Sequence, residues 1–187
     1  MTQNVLDIFK EAGAVLEGHF LLTSGLHSPL YWEKFRVLQY PQYTEKLCKI
    51  IADHFRGENI EVVAGPTTGG VILAYETARQ LGVRGIFAER DERGRAFKRG
   101  FSIGQGERVL IVDDILTTGS SLKETVAAVN ELRGKIAGVG VLVDRSEKGI
   151  DLGIPLFICL RSATLAYHAE ECPLCAAGIP LTKRGSS

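Results

Sequence analysis

The sequence predicts an α/β fold with a central parallel sheet flanked by helices. Two observations carry this. Residues 62–64, 85–88, 109–112 and 136–143 are short apolar runs with no polar alternation, as strands buried on both faces require. Between them lie stretches of helical period that end at glycine, residues 71–81 before Gly82 and 122–132 before Gly134, so strands and helices alternate. Sheets of this kind bind ligands at the carboxyl ends of their strands.

The remaining elements follow in chain order. Val5, Leu6, Ile8, Phe9, Ala12, Val15 and Leu16 recur at helical spacing and stop before Gly18, which predicts an opening amphipathic helix. Residues 20–35 are rich in aromatics and broken by Ser24-Gly25 and Ser28-Pro29, a pattern of short strands or a hairpin. Leu47, Ile50, Ile51 and Phe55 mark a helix that starts after Pro41 and ends at Gly57.

The chain has 187 residues, a length that suits one domain over 1–187. Its 22 basic residues balance 22 acidic ones, so no long-range field draws the whole molecule to nucleic acid or to a membrane surface. The apolar runs are too short to cross a bilayer. Asp7, Lys10 and Glu11 among the first residues do not suit a secretory leader. Cys48 and Cys159 sit in apolar segments, and this use of cysteine fits a reducing cytoplasm.

The most informative run is Val109-Leu110-Ile111-Val112-Asp113-Asp114-Ile115-Leu116-Thr117-Thr118-Gly119-Ser120-Ser121. Four apolar residues put two carboxylates at the end of a buried strand, where they repel and lose solvation unless a cation or hydroxyl meets them. A ribose diol near Mg²⁺ would satisfy both. The 117–121 loop then offers backbone N–H groups, hydroxyls and one glycine. With Ser121 and Glu124 in capping-box spacing, a helix start stands behind it, which makes an anion site. No Walker motif occurs.

This 13-residue run resembles the phosphoribosyl pyrophosphate (PRPP) signature of the type I phosphoribosyltransferases. The resemblance implies that family's fold, with a small N-terminal hood (residues 18–40 plus the C-terminal segment). It also implies that Asp113 and Asp114 contact the ribose hydroxyls, that Ile115 and Leu116 lead into the site, and that Thr117, Thr118, Gly119, Ser120 and Ser121 hold the 5-phosphate. Mg²⁺ would be held mainly by PRPP itself, with Asp113 and Asp114 as its protein contacts. Gly65-Pro66-Thr67-Thr68-Gly69-Gly70, on its own a tight connection suited to close backbone approach, is similar to the family's pyrophosphate loop, with Thr67, Thr68 and Gly69 as contacts. The lysine some members carry there is missing.

Residues 89–99 read ERDERGRAFKR, five basic and three acidic side chains around Gly94. A charge run is ordinarily a solvated hairpin. Its position matches the mobile catalytic loop (89–100) of the orotate phosphoribosyltransferases, which reaches into a neighbouring subunit. On that resemblance Arg90 and Lys98 contact pyrophosphate, with Arg93 and Arg99 behind them.

Three further features are similar to that family in particular: the segment from Leu22 to Trp32 with its Ser24-Gly25 and Ser28-Pro29 pairs, the Asp144-Arg145 pair at a strand end, and the order of elements over about residues 3–165. Arg145 would fork onto a carboxylate of the base, with Thr117 beside it. Thr23 stands where many members have lysine, and Lys34 is a candidate replacement. Tyr31 and Trp32 suit either stacking on the base or ordinary hydrophobic cover, and His27 reads as a turn residue.

Cys172 and Cys175 have the spacing of half a zinc site. Partners would have to come from elsewhere, such as His168 or a symmetry mate. A structural turn closed by Pro173 is the simpler account, and no direct metal ligand is assigned. The Gly185-Ser186-Ser187 tail is expected to fray.

The resemblance therefore implies transfer of ribose 5-phosphate from PRPP to orotate in de novo pyrimidine (UMP) synthesis by a cytoplasmic homodimer. It implies no nucleic-acid or membrane partner. The alternatives are a purine-type phosphoribosyltransferase and a non-catalytic PRPP-sensing regulator.

Overall fold

The N-terminal apolar residues divide between a helix and a strand. In the computed structural model, which describes residues 4–22, 24–146, 148–162 and 165–183, helix α1 covers only Val5–Glu11, with the Asn4 side chain capping the Asp7 N–H. Gly13, at φ +63°, turns the chain, and Val15 and Leu16 enter strand β1 (Val15–Leu21), not the expected single helix. The spacing of these apolar residues suits a helix face, but the left-handed turn at Gly13 overrides it. β1 pairs antiparallel with β2 (His27–Trp32), so the hairpin foreseen for 20–35 begins five residues earlier.

Helices α2 (Lys34–Leu38) and α3 (Pro41–Phe55) follow. Pro41 opens α3, where its fixed φ and missing N–H cost nothing. The repeating part of the chain then runs β3 (Val62–Pro66), α4 (Gly69–Leu81), β4 (Arg84–Asp91), β5 (Gly94–Phe97), β6 (Arg108–Leu116), α5 (Ser120–Glu131), β7 (Lys135–Asp144) and β8 (Leu156–Arg161). The strands form one sheet in the order β5-β4-β3-β6-β7-β8. Every pairing is parallel except β4 with β5.

Leu110 and Val112 point to the face covered by α3 and α4, against Leu47, Ile51 and Leu73. Val109 and Ile111 point to the other, against Leu122 and Val129 of α5. This doubly covered strand is what the unalternating apolar run implied. The chain leaves β3 for β4 through α4 on one face and leaves β6 for β7 through α5 on the other. β3 and β6 are neighbours, so their carboxyl ends flank the topological switch point, where a crevice opens.

A 3₁₀ turn (Ala169–Glu171), a short helix α6 (Pro173–Ala176) and β9 (Thr182–Lys183) complete the described chain. β9 pairs with β1, which makes a separate three-stranded sheet in the order β2-β1-β9. Thr23 and the Gly185–Ser187 tail lie outside the described residues. Among those described, no helix is long and apolar enough to cross a membrane.

Candidate active site

The loops after β3 and β6 meet at the switch point. Asp113 and Asp114 lie toward the carboxyl end of β6, their side chains alternating across the strand, and both are buried. The Asp114 N–H donates to Asp113 Oδ1 at 2.9 Å, and the Ile115 N–H donates to Asp114 Oδ1 at 2.6 Å. The cation that the buried pair demands is Lys34, whose Nζ donates to Asp114 Oδ1 at 2.9 Å and stands equally close to Oδ2. Oδ2 has no well-aligned hydrogen bond. Burial, reinforced by the Asp114 charge, raises the Asp113 carboxyl to about 7.

The 65–70 loop owes its glycines to packing as much as to any ligand. A Cβ on Gly69 would lie 1.5 Å from Asp114 Oδ2, and one on Gly65 would lie 2.1 Å from the Gly70 carbonyl oxygen. The loop is thus folded onto itself and onto the acidic pair. The 117–121 loop is more open: Thr117, Thr118 and Ser120 are exposed, and with Asp113 and Leu122 the loop lines one concavity.

The capping box expected at Ser121 and Glu124 does not form. Gly119, at φ +76°, is the N-cap of α5, so the helix starts before Ser121 and that residue sits inside the first turn. Ser121 and Glu124 turn instead to Arg95. The guanidinium of Arg95 donates to Thr67 Oγ1 at 3.1 Å, to the Thr67 carbonyl at 3.4 Å and to Ser121 Oγ at 3.2 Å. Its Nε lies 3.5 Å from Glu124 Oε2. One buried arginine therefore ties the two loops together and brings positive charge to the 65–70 loop, which has no lysine.

Arg95 reaches this place because residues 89–97, expected either as a solvated hairpin or as a mobile loop, form the β4–β5 hairpin. Its register pairs Arg90 with Arg95, which places Arg90 on the same face. Lys98 pairs instead with Asp91 at 3.3 Å, one residue along β4 and so on the opposite face. Arg99 forks onto Glu89 with two contacts of 2.9 Å. The structure thus brings Arg90 toward the loops and holds Lys98 and Arg99 in ion pairs of the hairpin. No spacing marks Arg95 out within the charge run; only the register does.

Arg145 follows β7, its N–H bonded to the Leu116 carbonyl at 2.8 Å, so its backbone is fastened beside the end of β6. Its guanidinium is part-buried, and burial lowers its pKa while the Tyr31 hydroxyl of β2 opposes that shift. Trp32 is core, packed on Phe9 at 5.2 Å, whereas the Tyr31 ring packs against Phe20 at 5.6 Å. Asp144 is structural: it accepts from the Ser146 N–H and hydroxyl and meets Arg161 at 3.4 Å. His27 is no turn residue, being buried in β2. A larger, shallow concavity lined by Glu61, Arg84, Ser102 and Glu107 lies toward the amino ends of the strands, away from these groups.

Residues 36–160 match the family model described as phosphoribosyl transferase domain. The chain belongs to the phosphoribosyltransferase family. Its full-length relatives place it in the orotate phosphoribosyltransferase branch. It is 48% identical over 184 residues to the orotate phosphoribosyltransferase of Caldanaerobacter subterraneus subsp. tengcongensis, covering 98% of this chain and 97% of that one. It is 50% identical over 182 residues to that of Pelotomaculum thermopropionicum, covering 97% and 96%. The crystal structure of orotate phosphoribosyltransferase from Aeropyrum pernix is 26% identical, with a TM-score of 0.67 over 84% of this chain and 93% of that chain.

Proposed function

We propose that this chain transfers the 5-phosphoribosyl group of PRPP to orotate, giving orotidine 5′-monophosphate and pyrophosphate. The observation that carries this reading is the meeting of two anion loops at one crevice, bridged by Arg95, with a buried acidic pair between them. The first N–H groups of α5 have no partner within the helix and, with the hydroxyls of 117–121, suit the 5-phosphate. The 65–70 loop, Arg95 and Arg90 suit the pyrophosphate.

Asp113 and Asp114 accept hydrogen bonds from the ribose hydroxyls. Two buried carboxylates share the charge of Lys34, and the remaining negative charge fits a divalent cation carried in by PRPP, which Asp113 and Asp114 would hold. Magnesium held there would neutralise charge on the pyrophosphate. As the bond from the anomeric carbon to pyrophosphate breaks, Arg95 and Arg90 stabilise charge on the leaving group while the base nitrogen attacks from the other face. Arg145 orients the base through its carboxylate.

The same reading makes the protein a cytoplasmic homodimer that shares the Arg-rich hairpin between subunits. The thiols, all free, support a reducing compartment, and sedimentation of the purified chain tests the dimer.

Turnover of PRPP with a panel of bases, followed by pyrophosphate release, tests the function. Orotate is the expected substrate, and Arg145→Ala should raise its KM by about 100-fold with PRPP affinity preserved. Turnover of adenine in preference to orotate, or no turnover of any base, would overturn the reading.

A further inference from the structure

The hood holds four side chains that the transfer reaction does not use. His19 of β1 and His27 of β2 face Cys172 and Cys175, and His19, His27 and Cys172 are buried. One ligand atom from each lies within 4.8 Å of all the others. His19 Nε2 is 3.0 Å from His27 Nδ1, 3.5 Å from Cys172 Sγ and 3.7 Å from Cys175 Sγ, while Cys175 Sγ is 3.2 Å from His27 Nδ1.

These separations of 3.0–3.7 Å are close to those of a coordination shell. Zinc bonds of about 2.0–2.1 Å to nitrogen and about 2.3 Å to sulfur make a tetrahedron with edges of about 3.3–3.8 Å. Orientation agrees with spacing. His19 Nδ1 lies 2.8 Å from the Ile179 carbonyl, which accepts only if Nδ1 carries the hydrogen. That leaves the lone pair of Nε2 aimed at the centre, the outer-shell arrangement that fixes a metal-binding imidazole. The two cysteines are separated by two residues at the start of α6, as chelating cysteine pairs are.

We propose that His19, His27, Cys172 and Cys175 bind one Zn²⁺ in a closed tetrahedral site that fastens the C-terminal segment to the hood hairpin. All four positions are filled by protein, so the role is structural. Both thiols ionise on binding and their protons go to solvent. His168, the partner suggested by sequence alone, is not in the cluster.

The test needs no turnover, so it stands apart from the substrate reading. Elemental analysis of the purified full chain should give about one zinc per chain. The cobalt-substituted protein should show the intense visible bands of tetrahedral thiolate coordination. Chelator treatment should lower the unfolding temperature, and zinc should restore it. Cys175→Ser, at the one exposed ligand, should weaken zinc binding by at least about 100-fold, the upper range even for outer-shell losses. If that variant fails to fold, the cobalt spectrum of the unaltered chain decides. Wild-type protein that takes up no zinc or cobalt, a Cys172–Cys175 disulfide in protein kept reduced, or unchanged zinc affinity in Cys175→Ser would each overturn the proposal.

Discussion

The two loops at the switch point are built on opposite plans. The 65–70 loop is folded inward: its glycines leave room for its own backbone and for Asp114, and a buried arginine grips Thr67. The 117–121 loop is turned outward, with Thr117, Thr118 and Ser120 exposed ahead of α5. The first owes its shape to the protein and leaves little room for change. The second keeps its donors for a ligand. Substitutions in the inner loop should therefore damage structure and activity together, and those in the outer loop should affect ligand affinity alone.

Gly69→Ala breaks the inner loop most severely. The new methyl would displace Asp114, and activity should fall on the order of 100-fold or more, with roughly 2 kcal/mol of stability lost; steady-state kinetics and thermal unfolding read both. Unchanged activity would refute the inward plan. Arg95→Ala removes the link between the loops, and loss of its charge-assisted bonds should raise the KM for PRPP about 30-fold. Arg90→Ala, in the same face but without those bonds, should cost less.

Asp113 sharpens the comparison through pH. Its carboxyl is raised from 3.8 to about 7, so the native state keeps a proton that the unfolded chain releases. Stability should fall as pH climbs between these values and level off above them. Asp113→Asn, still able to accept the Asp114 N–H, should unfold about 2–4 °C higher than wild type at neutral pH, and the gap should close below pH 4. A gap that widens on acidification would contradict the assigned burial. PRPP binding should weaken in the same variant. Thr118→Ala, in the outer loop, should lose about fivefold in PRPP affinity with no change in unfolding temperature.

The central sheet and the acidic pair were legible because a buried parallel strand has no polar alternation to confuse, and two carboxylates at its end are costly without a ligand. Other features depend on tertiary register. Val15 and Leu16 fit a helix face until the turn at Gly13 is known. Ser121 and Glu124 fit a capping box, but Arg95 claims both. Arg95 is one of five basic residues in a charge run, and only the pairing of β4 with β5 buries it. His19 and His27 carry no motif spacing, since a hairpin and the far end of the chain bring them to the cysteines.

The pairing of β9 with β1 sets an order of assembly. Residues 62–161 contain every strand of the main sheet, so it can condense as soon as that stretch leaves the ribosome. The smaller sheet must wait for Thr182 and Lys183 to return to Phe20 and Leu21, closing a loop of most of the chain. The main sheet is complete before the last strand of the smaller one is made, so a nascent chain halted near its end has the platform under a two-stranded, unfinished cover.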